Sequence, residues 1–267
     1  MDRSFVSLGG GVQSSCLCLM GNHGEITPRP EAAIFADTGA ETDETYRWIE
    51  WLEGKLDFPV IHTRRERADL LTDVTDALDS GEVLNIPLHS LSPEGKKQML
   101  PRRCTINFKV EPLVRRFRSL LGLAKGQRTK GKIAELWIGI SYDEVSRISE
   151  PRAKFYGNRY PLIEKRMQRV DCLRWMKDKG YPRPPRSACW FCAFRTDQDW
   201  RDMRDKSPDA WEKAKALDAR LRERHDPRGE KFLNRRSEPL SEVDLSTDVE
   251  RGQTLLWTDE CSGVCGV

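Results

Sequence analysis

The run Ser7-Leu8-Gly9-Gly10-Gly11-Val12-Gln13-Ser14-Ser15 carries the strongest chemical signal in the sequence. Three consecutive glycines let a backbone approach an anion closely. A helix opening directly after them would aim its free N–H groups and positive dipole end at the same spot, with the Ser14 and Ser15 hydroxyls as further donors. This is the chemistry of a phosphate cradle; the plainer alternative is a tight strand-to-helix turn. It is not a Walker A loop, because no Gly-Lys-Ser/Thr follows at the required spacing, and Gly-x-Gly-x-x-Gly is absent too.

A second candidate is Asp37-Thr38-Gly39, which follows the apolar run Ala32-Ala33-Ile34-Phe35-Ala36. At the C-terminal end of a parallel strand, a carboxylate lies where doubly wound sheets place their ligands. There it could hold Mg²⁺ against phosphates or bind a nucleotide hydroxyl or amino group. Equally, it could close an Asx turn with Thr38 and Gly39.

The chain has eight cysteines. Cys189-Trp190-Phe191-Cys192 puts two thiols on one tight turn, and Cys104 offers a third from far upstream. Such sets build iron–sulfur clusters and zinc sites. Zinc would need a fourth ligand, for which Cys172 is the candidate; free thiols are the remaining alternative. Cys16 and Cys18 fall in an apolar helix opening and read as packing residues. Cys261 and Cys265 lie four apart near the end of the sequence, beside Gly263 and Gly266. There they could resolve one another as a disulfide, ligand a metal or do nothing.

The elements that must position these groups follow from the pattern. The 267 residues are 38% apolar and 33% charged, with a net charge of +3, so enough apolar side chains remain to exclude general disorder. No apolar run approaches the roughly 18–20 residues that span a bilayer. Neither does the start resemble a secretory signal, so a cytoplasmic location without membrane contact is expected. Strands are predicted at 5–8, 32–36, 58–62 and 135–140, with helices beginning near 14 and spanning 43–56. Alternation of this kind predicts an α/β fold with a doubly wound parallel sheet. Helices at 168–179, 196–205 and 210–224 dominate the rest. The boundary is therefore drawn at Leu162, with an α/β nucleotide-binding core over 1–162 and a helical, cysteine-bearing region over 163–267. Basic residues cluster at 64–67, 102–103, 115–118 and 125–132, which is either a solvated surface or a face for anions or nucleic acid.

Several ordered motifs resemble a known group. The loop at 7–15 is similar to that of the PP-loop superfamily of ATP pyrophosphatases, the adenine nucleotide alpha hydrolases. Phe35-Ala36-Asp37-Thr38-Gly39 with Glu44-Thr45-Tyr46, and Phe108-Lys109-Val110-Glu111-Pro112-Leu113, resemble segments of the phosphoadenosine phosphosulfate (PAPS) reductase family. Tyr160-Pro161-Leu162-Ile163 followed by Val170-Asp171 resembles a further stretch of it. The resemblance extends to branches found on phages and plasmids, some beside CRISPR systems. It implies a PP-loop fold and an adenine nucleotide, ATP with Mg²⁺, bound at Ser7, Gly9, Gly10, Gly11, Gln13, Ser14, Ser15, Asp37, Thr38, Gly39 and Gly139. It also implies a 4Fe-4S cluster on Cys104, Cys189 and Cys192, although Thr105 stands where the family's paired cysteine would be. Cys261 or Cys265 would correspond to the family's C-terminal nucleophile. Lys109, a candidate catalytic residue, and Arg115 could supply further positive charge at the phosphates, or simply lie on exposed faces. In the segment 139–141, Ser141 replaces the arginine that meets the sulfonate or phosphate end, and a hydroxyl cannot imitate a bidentate guanidinium.

Three functions follow as expectations. The first is an enzyme that cleaves ATP at the α-phosphate and adenylates an acceptor, for sulfur transfer from a thiol or other sulfur donor or for nucleic-acid modification. The second is a PAPS or APS reductase that forms sulfite. The third is a nucleotide-binding accessory protein without turnover.

Overall fold

The computed structural model describes residues 3–224, 226, 229–247 and 250–251. Cys261 and Cys265 lie outside the described residues. In chain order the elements are β1 (Ser4–Leu8), α1 (Val12–Asn22), β2 (Ala32–Ala36), α2 (Asp43–Glu53), β3 (Val60–Thr63), α3 (Leu70–Ser80), β4 (His89–Leu91) and β5 (Lys97–Met99). A π-helical stretch (Thr105–Val110) leads into α4 (Glu111–Leu120), and β6 (Ala134–Ile138) follows. A 3-10 segment (Tyr142–Arg147), β7 (Tyr156–Arg159), α5 (Pro161–Glu164), α6 (Arg169–Asp178), α7 (Asp197–Lys206), α8 (Pro208–Glu223) and β8 (Glu230–Phe232) complete the order.

The main sheet has the order β3-β2-β1-β6-β7, and every pair in it is parallel. Alternate residues serve opposite faces. Val6, Leu8, Ala33, Phe35 and Trp137 pack in one buried cluster with residues of α1, α2 and α6. Phe5, Ile34, Ala36 and Leu136 pack in another with Leu113 and Phe117 of α4. Strands buried on both faces read as near-continuous apolar runs, which is why β2 is Ala-Ala-Ile-Phe-Ala. The fold is thus the expected doubly wound parallel α/β sheet. From β1 the chain winds outward through β2 and β3, then returns to the other side of β1 for β6 and β7. The order therefore reverses between β1 and β6, the switch point at which such sheets take ligands.

The chain divides into two compact units, but not at Leu162. Unit 1 comprises residues 1–69 and 106–187, and unit 2 comprises 70–105 and the described residues from 188 onward. The proposed boundary fails because α6 completes the core around α1, burying Cys172 and Met176 in that cluster. Segment 70–105, in turn, pairs with the C-terminal part: β4 lies between β5 and β8 in a three-stranded antiparallel sheet. In unit 2, α7 starts with a capping box in which Thr196 Oγ1 accepts from the Asp199 N–H at 3.2 Å and Asp199 Oδ2 from the Thr196 N–H at 2.7 Å. Asp218 is fully buried on α8. Its two oxygens accept the N–H groups of Leu233 and Leu240, both at 2.9 Å, and Arg222 neutralises it. Among the described residues no helix is long and apolar enough to cross a membrane.

Candidate functional site

The site is built at the C-terminal ends of β1, β2 and β6 in unit 1. β1 ends at Leu8 and α1 starts at Val12, so Gly9, Gly10 and Gly11 make the whole connection. Gly10 has a φ of 77°, a region that costs a residue with a Cβ, and that Cβ would sit 3.2 Å from Thr45 Cγ2 and 3.3 Å from Ile49 Cδ1. Gly11 is the N-cap of α1 and no side chain caps it. The first N–H groups of α1 thus lack an acceptor within the helix and face outward at its positive end. Ser14 shapes the loop: its Oγ accepts from the Gly9 N–H at 3.2 Å and donates to the Gly11 carbonyl at 3.3 Å. Ser187 donates to the Gly9 carbonyl. Ser15 differs from expectation. It is fully buried and its hydroxyl accepts from Trp48 Nε1 at 2.8 Å, so it ties α1 to α2 inside the core.

Gly139, just past β6, closes the other side. A Cβ there would lie 2.8 Å from Ser14 N and 2.9 Å from Ser14 Cα. Only a residue without one lets the β6 end come this close to the start of α1. Replacing Gly139 with alanine must therefore displace backbone, not a flexible side chain. The expected cost is about 1–3 kcal/mol, by analogy with overpacking in a core, seen as a lower denaturant midpoint at unchanged slope; an unaltered midpoint would show that this approach carries no constraint.

Gln13 reaches across the same junction. Its Nε2 donates to Ser141 Oγ at 3.4 Å and Glu144 Oε2 at 3.2 Å, while its Oε1 accepts from Arg169 Nη1 at 2.9 Å. Ser141 is completely buried. Ser7 lies on β1 between Ile34 of β2 and Ile138 of β6.

Past β2, Asp37 closes an Asx turn: Oδ1 accepts from the Gly39 N–H at 2.7 Å and from the Tyr46 hydroxyl at 2.8 Å. Its Oδ2 pairs with Arg64. The Asx turn is thus formed, and both carboxylate oxygens carry hydrogen-bond donors. Gly39 has a φ of 73°, and a Cβ there would meet Asp69 Cβ at 2.6 Å. Burial alone would push the Asp37 carboxyl up, but the bonds from Arg64, the Gly39 N–H and Tyr46 outweigh it and hold the group below its ordinary range. Burial and Asp37 together push the Tyr46 phenol up. A depressed carboxyl pKa stabilises the fold above the unfolded value of about 3.9 and is lost as pH falls through the folded one. Asp37→Asn should therefore flatten the acid limb of stability below about pH 4; an acid limb identical to wild type would exclude this linkage.

Two further residues were not legible as a pair. Glu41 has a side chain with no exposure, and its Oε1 binds Lys109 Nζ at 2.9 Å and Thr38 Oγ1 at 3.2 Å. Its Oε2 is buried without a hydrogen-bond partner. Lys109, expected as a catalytic cation, is thus placed as the counter-ion of a buried carboxylate. Arg115 pairs with Glu66 at 3.2 Å and donates to the Arg64 carbonyl at 2.9 Å.

The cysteines divide between the units. In unit 1, Cys16 and Cys172 are both fully buried. A hydrogen bond to Cys172, with burial, pushes the Cys16 thiol up, and burial does the same to Cys18. Cys172 is thus placed in the packing of α6 on α1, beside Cys16. In unit 2, the Cys192 N–H donates to the Cys189 carbonyl at 3.0 Å, forming the expected tight turn. Arg195 clamps that turn, donating to the Cys189 carbonyl at 3.1–3.2 Å and the Ala188 carbonyl at 3.2 Å, with its guanidinium 5.7 Å from the Trp200 ring centroid. The Cys104 N–H donates to the Asn85 carbonyl at 2.8 Å. Among the described residues no group of three or more His, Cys, Asp or Glu side chains is placed to hold a metal ion.

No protein-family model and no curated protein matches the chain. Among solved structures it is similar to phosphoadenylyl-sulfate (PAPS) reductase from Candida auris in its phosphate complex. The identity is 12%, over 71% of this chain and 82% of that one, with a TM-score of 0.47.

Proposed function

We propose that the chain binds ATP with its phosphates against the backbone of residues 9–13 and cleaves it at the α-phosphate. The observation that carries this reading is the junction at the sheet's switch point. There Gly139 admits backbone to within contact of Ser14, and the uncapped start of α1 faces the Gly10 turn. An acceptor nucleophile would attack the α-phosphorus, breaking the bond to the β-phosphate and releasing pyrophosphate. A thiol or sulfide would then displace AMP from the adenylated acceptor. Fixed N–H groups aimed at the phosphates stabilise the charge that builds there. Mg²⁺ would arrive on the triphosphate, as it commonly does, since Asp37 is already paired with Arg64. Ser141, buried against Gln13, supplies no guanidinium for a second anionic end, which favours ATP over PAPS.

The test is product analysis with α-labelled ATP and with labelled PAPS. AMP and pyrophosphate from ATP, abolished by chelating Mg²⁺, are expected. Sulfite from PAPS with no ATP cleavage would replace this reading with a reductase. Retention of ATP without turnover would make the chain a nucleotide-binding accessory.

A further inference from the structure

From Pro112 to Ala134 the chain has no Asp or Glu, yet it carries Arg115, Arg116, Arg118, Lys125, Arg128, Lys130 and Lys132. Seven cations in one segment exceed the net charge of the whole chain, +3. Its placement in unit 1 is as informative as its content. Helix α4 buries Leu113 and Phe117 against the sheet and leaves Arg115 and Arg116 exposed. Its start lies by the C-terminal ends of the strands, where Thr63 Oγ1 donates to the Pro112 carbonyl at 3.4 Å and Arg115 reaches the Arg64 carbonyl. Its end leads into the 122–133 loop, at the opposite ends of the strands, where the Ile133 N–H donates to the Phe155 carbonyl. The cations therefore form a track along α4, about 15 Å of helix. It starts at Arg64, paired with Asp37, and ends at Lys125, Arg128, Lys130 and Lys132.

The loop is held in shape without using those four charges. Arg118 Nη1 donates to the carbonyls of Ala124 at 3.4 Å and Gln127 at 3.0 Å, and its guanidinium lies 4.6 Å from the Phe155 ring centroid. The Ala124 N–H donates to Gln127 Oε1 at 2.9 Å, and Thr129 Oγ1 to the Gly131 carbonyl at 2.6 Å. Among the described residues, Lys125, Arg128, Lys130 and Lys132 are exposed and make no ion pair, while exposed Lys154 adds to the same end of the sheet. The acids bordering the track include Asp37, paired with Arg64, and Asp69 near the same guanidinium, then Glu66, paired with Arg115, and exposed Glu111 and Glu150. Between residues 122 and 133 there is no aromatic side chain; of the two large apolar side chains, Leu123 packs on the core and Ile133 is exposed. A protein interface would want aromatic anchors among the charges, and a lipid surface would want Trp, Phe or Leu to insert. A nucleic-acid backbone needs only spaced cations.

We propose that this track binds the phosphodiester backbone of a nucleic acid, which makes a nucleic acid the class of acceptor for the proposed adenylation. The acceptor role rests on the ATP reading; the binding itself does not. The test is fluorescence anisotropy with a labelled RNA hairpin and a DNA duplex of the same sequence, without nucleotide, across a salt series. The wild-type chain and the variant Lys125→Gln/Arg128→Gln/Lys130→Gln/Lys132→Gln are compared. Wild-type binding should weaken steeply with salt. The variant should lose at least about tenfold in affinity, with a log–log salt slope lower by about 3, since each lost phosphate contact removes about 0.7–0.9. Its melting temperature and ATP affinity should be unchanged, because these side chains support neither. Absence of wild-type binding at low salt, equal binding by the variant, or equally tight binding of poly-glutamate would each overturn the proposal. Loss of ATP binding with RNA binding intact would instead defeat only the nucleotide reading.

Discussion

Gly10→Val is expected to abolish binding of Mg·ATP while leaving the sheet in place. At a φ of 77° a β-branched residue is a steric outlier, and its Cβ would begin 3.2 Å from Thr45 and 3.3 Å from Ile49, which are packed on α2. The loop must then turn differently, and the N–H groups of residues 10–13 would no longer be set to meet one anion. Calorimetric titration should show no heat of binding where wild type shows saturation. Circular dichroism should retain the helical signal, because the clusters on both sheet faces do not depend on this turn. Unchanged ATP affinity in a folded Gly10→Val chain would remove the loop from the site.

The second large effect is on stability. Lys109→Met leaves the fully buried Glu41 carboxylate with Thr38 but without its cation. Removing one partner of a buried pair costs about 3–5 kcal/mol, and the value here should fall near 3 because Lys109 is itself partly exposed. Adding Glu41→Gln should recover most of the loss, since a neutral amide needs no counter-ion. Denaturant midpoints of the two singles and the double close the cycle. If Lys109 acted on the phosphates instead, the single variant would lose ATP affinity at unaltered stability and the double would not recover.

What the sequence disclosed and what it hid follow physical range. The parallel sheet was legible because β1, β2 and β6 are short apolar runs, and the Gly9, Gly10 and Gly11 turn announces itself by composition alone. Glu41 was not legible: within Gly39-Ala40-Glu41-Thr42-Asp43 it reads as one acid of a polar loop. Its burial exists only because Lys109 arrives from another element. Ser15 has the same chemistry as Ser14 one residue earlier, and only the 100° step of the helix turns it inward to Trp48. The contact of Cys172 with Cys16 was not legible, because it exists only once α6 folds onto α1. The division at Leu162 missed the discontinuous unit, since pairing of β4 with β8 joins segments that share no local pattern. Arg195, which organises the Cys189–Cys192 turn, was equally invisible, because a buried arginine serving backbone carbonyls looks like any surface arginine.

The most direct measurement is a structure of the chain with Mg²⁺ and a non-hydrolysable ATP analogue. Phosphate oxygens within about 3 Å of the N–H groups of residues 10–13, the distance of an ordinary N–H···O bond, with Gly139 still packed on Ser14, are expected. A triphosphate bound elsewhere on the chain, with the loop between β1 and α1 empty, would contradict the assignment of this loop as the nucleotide site.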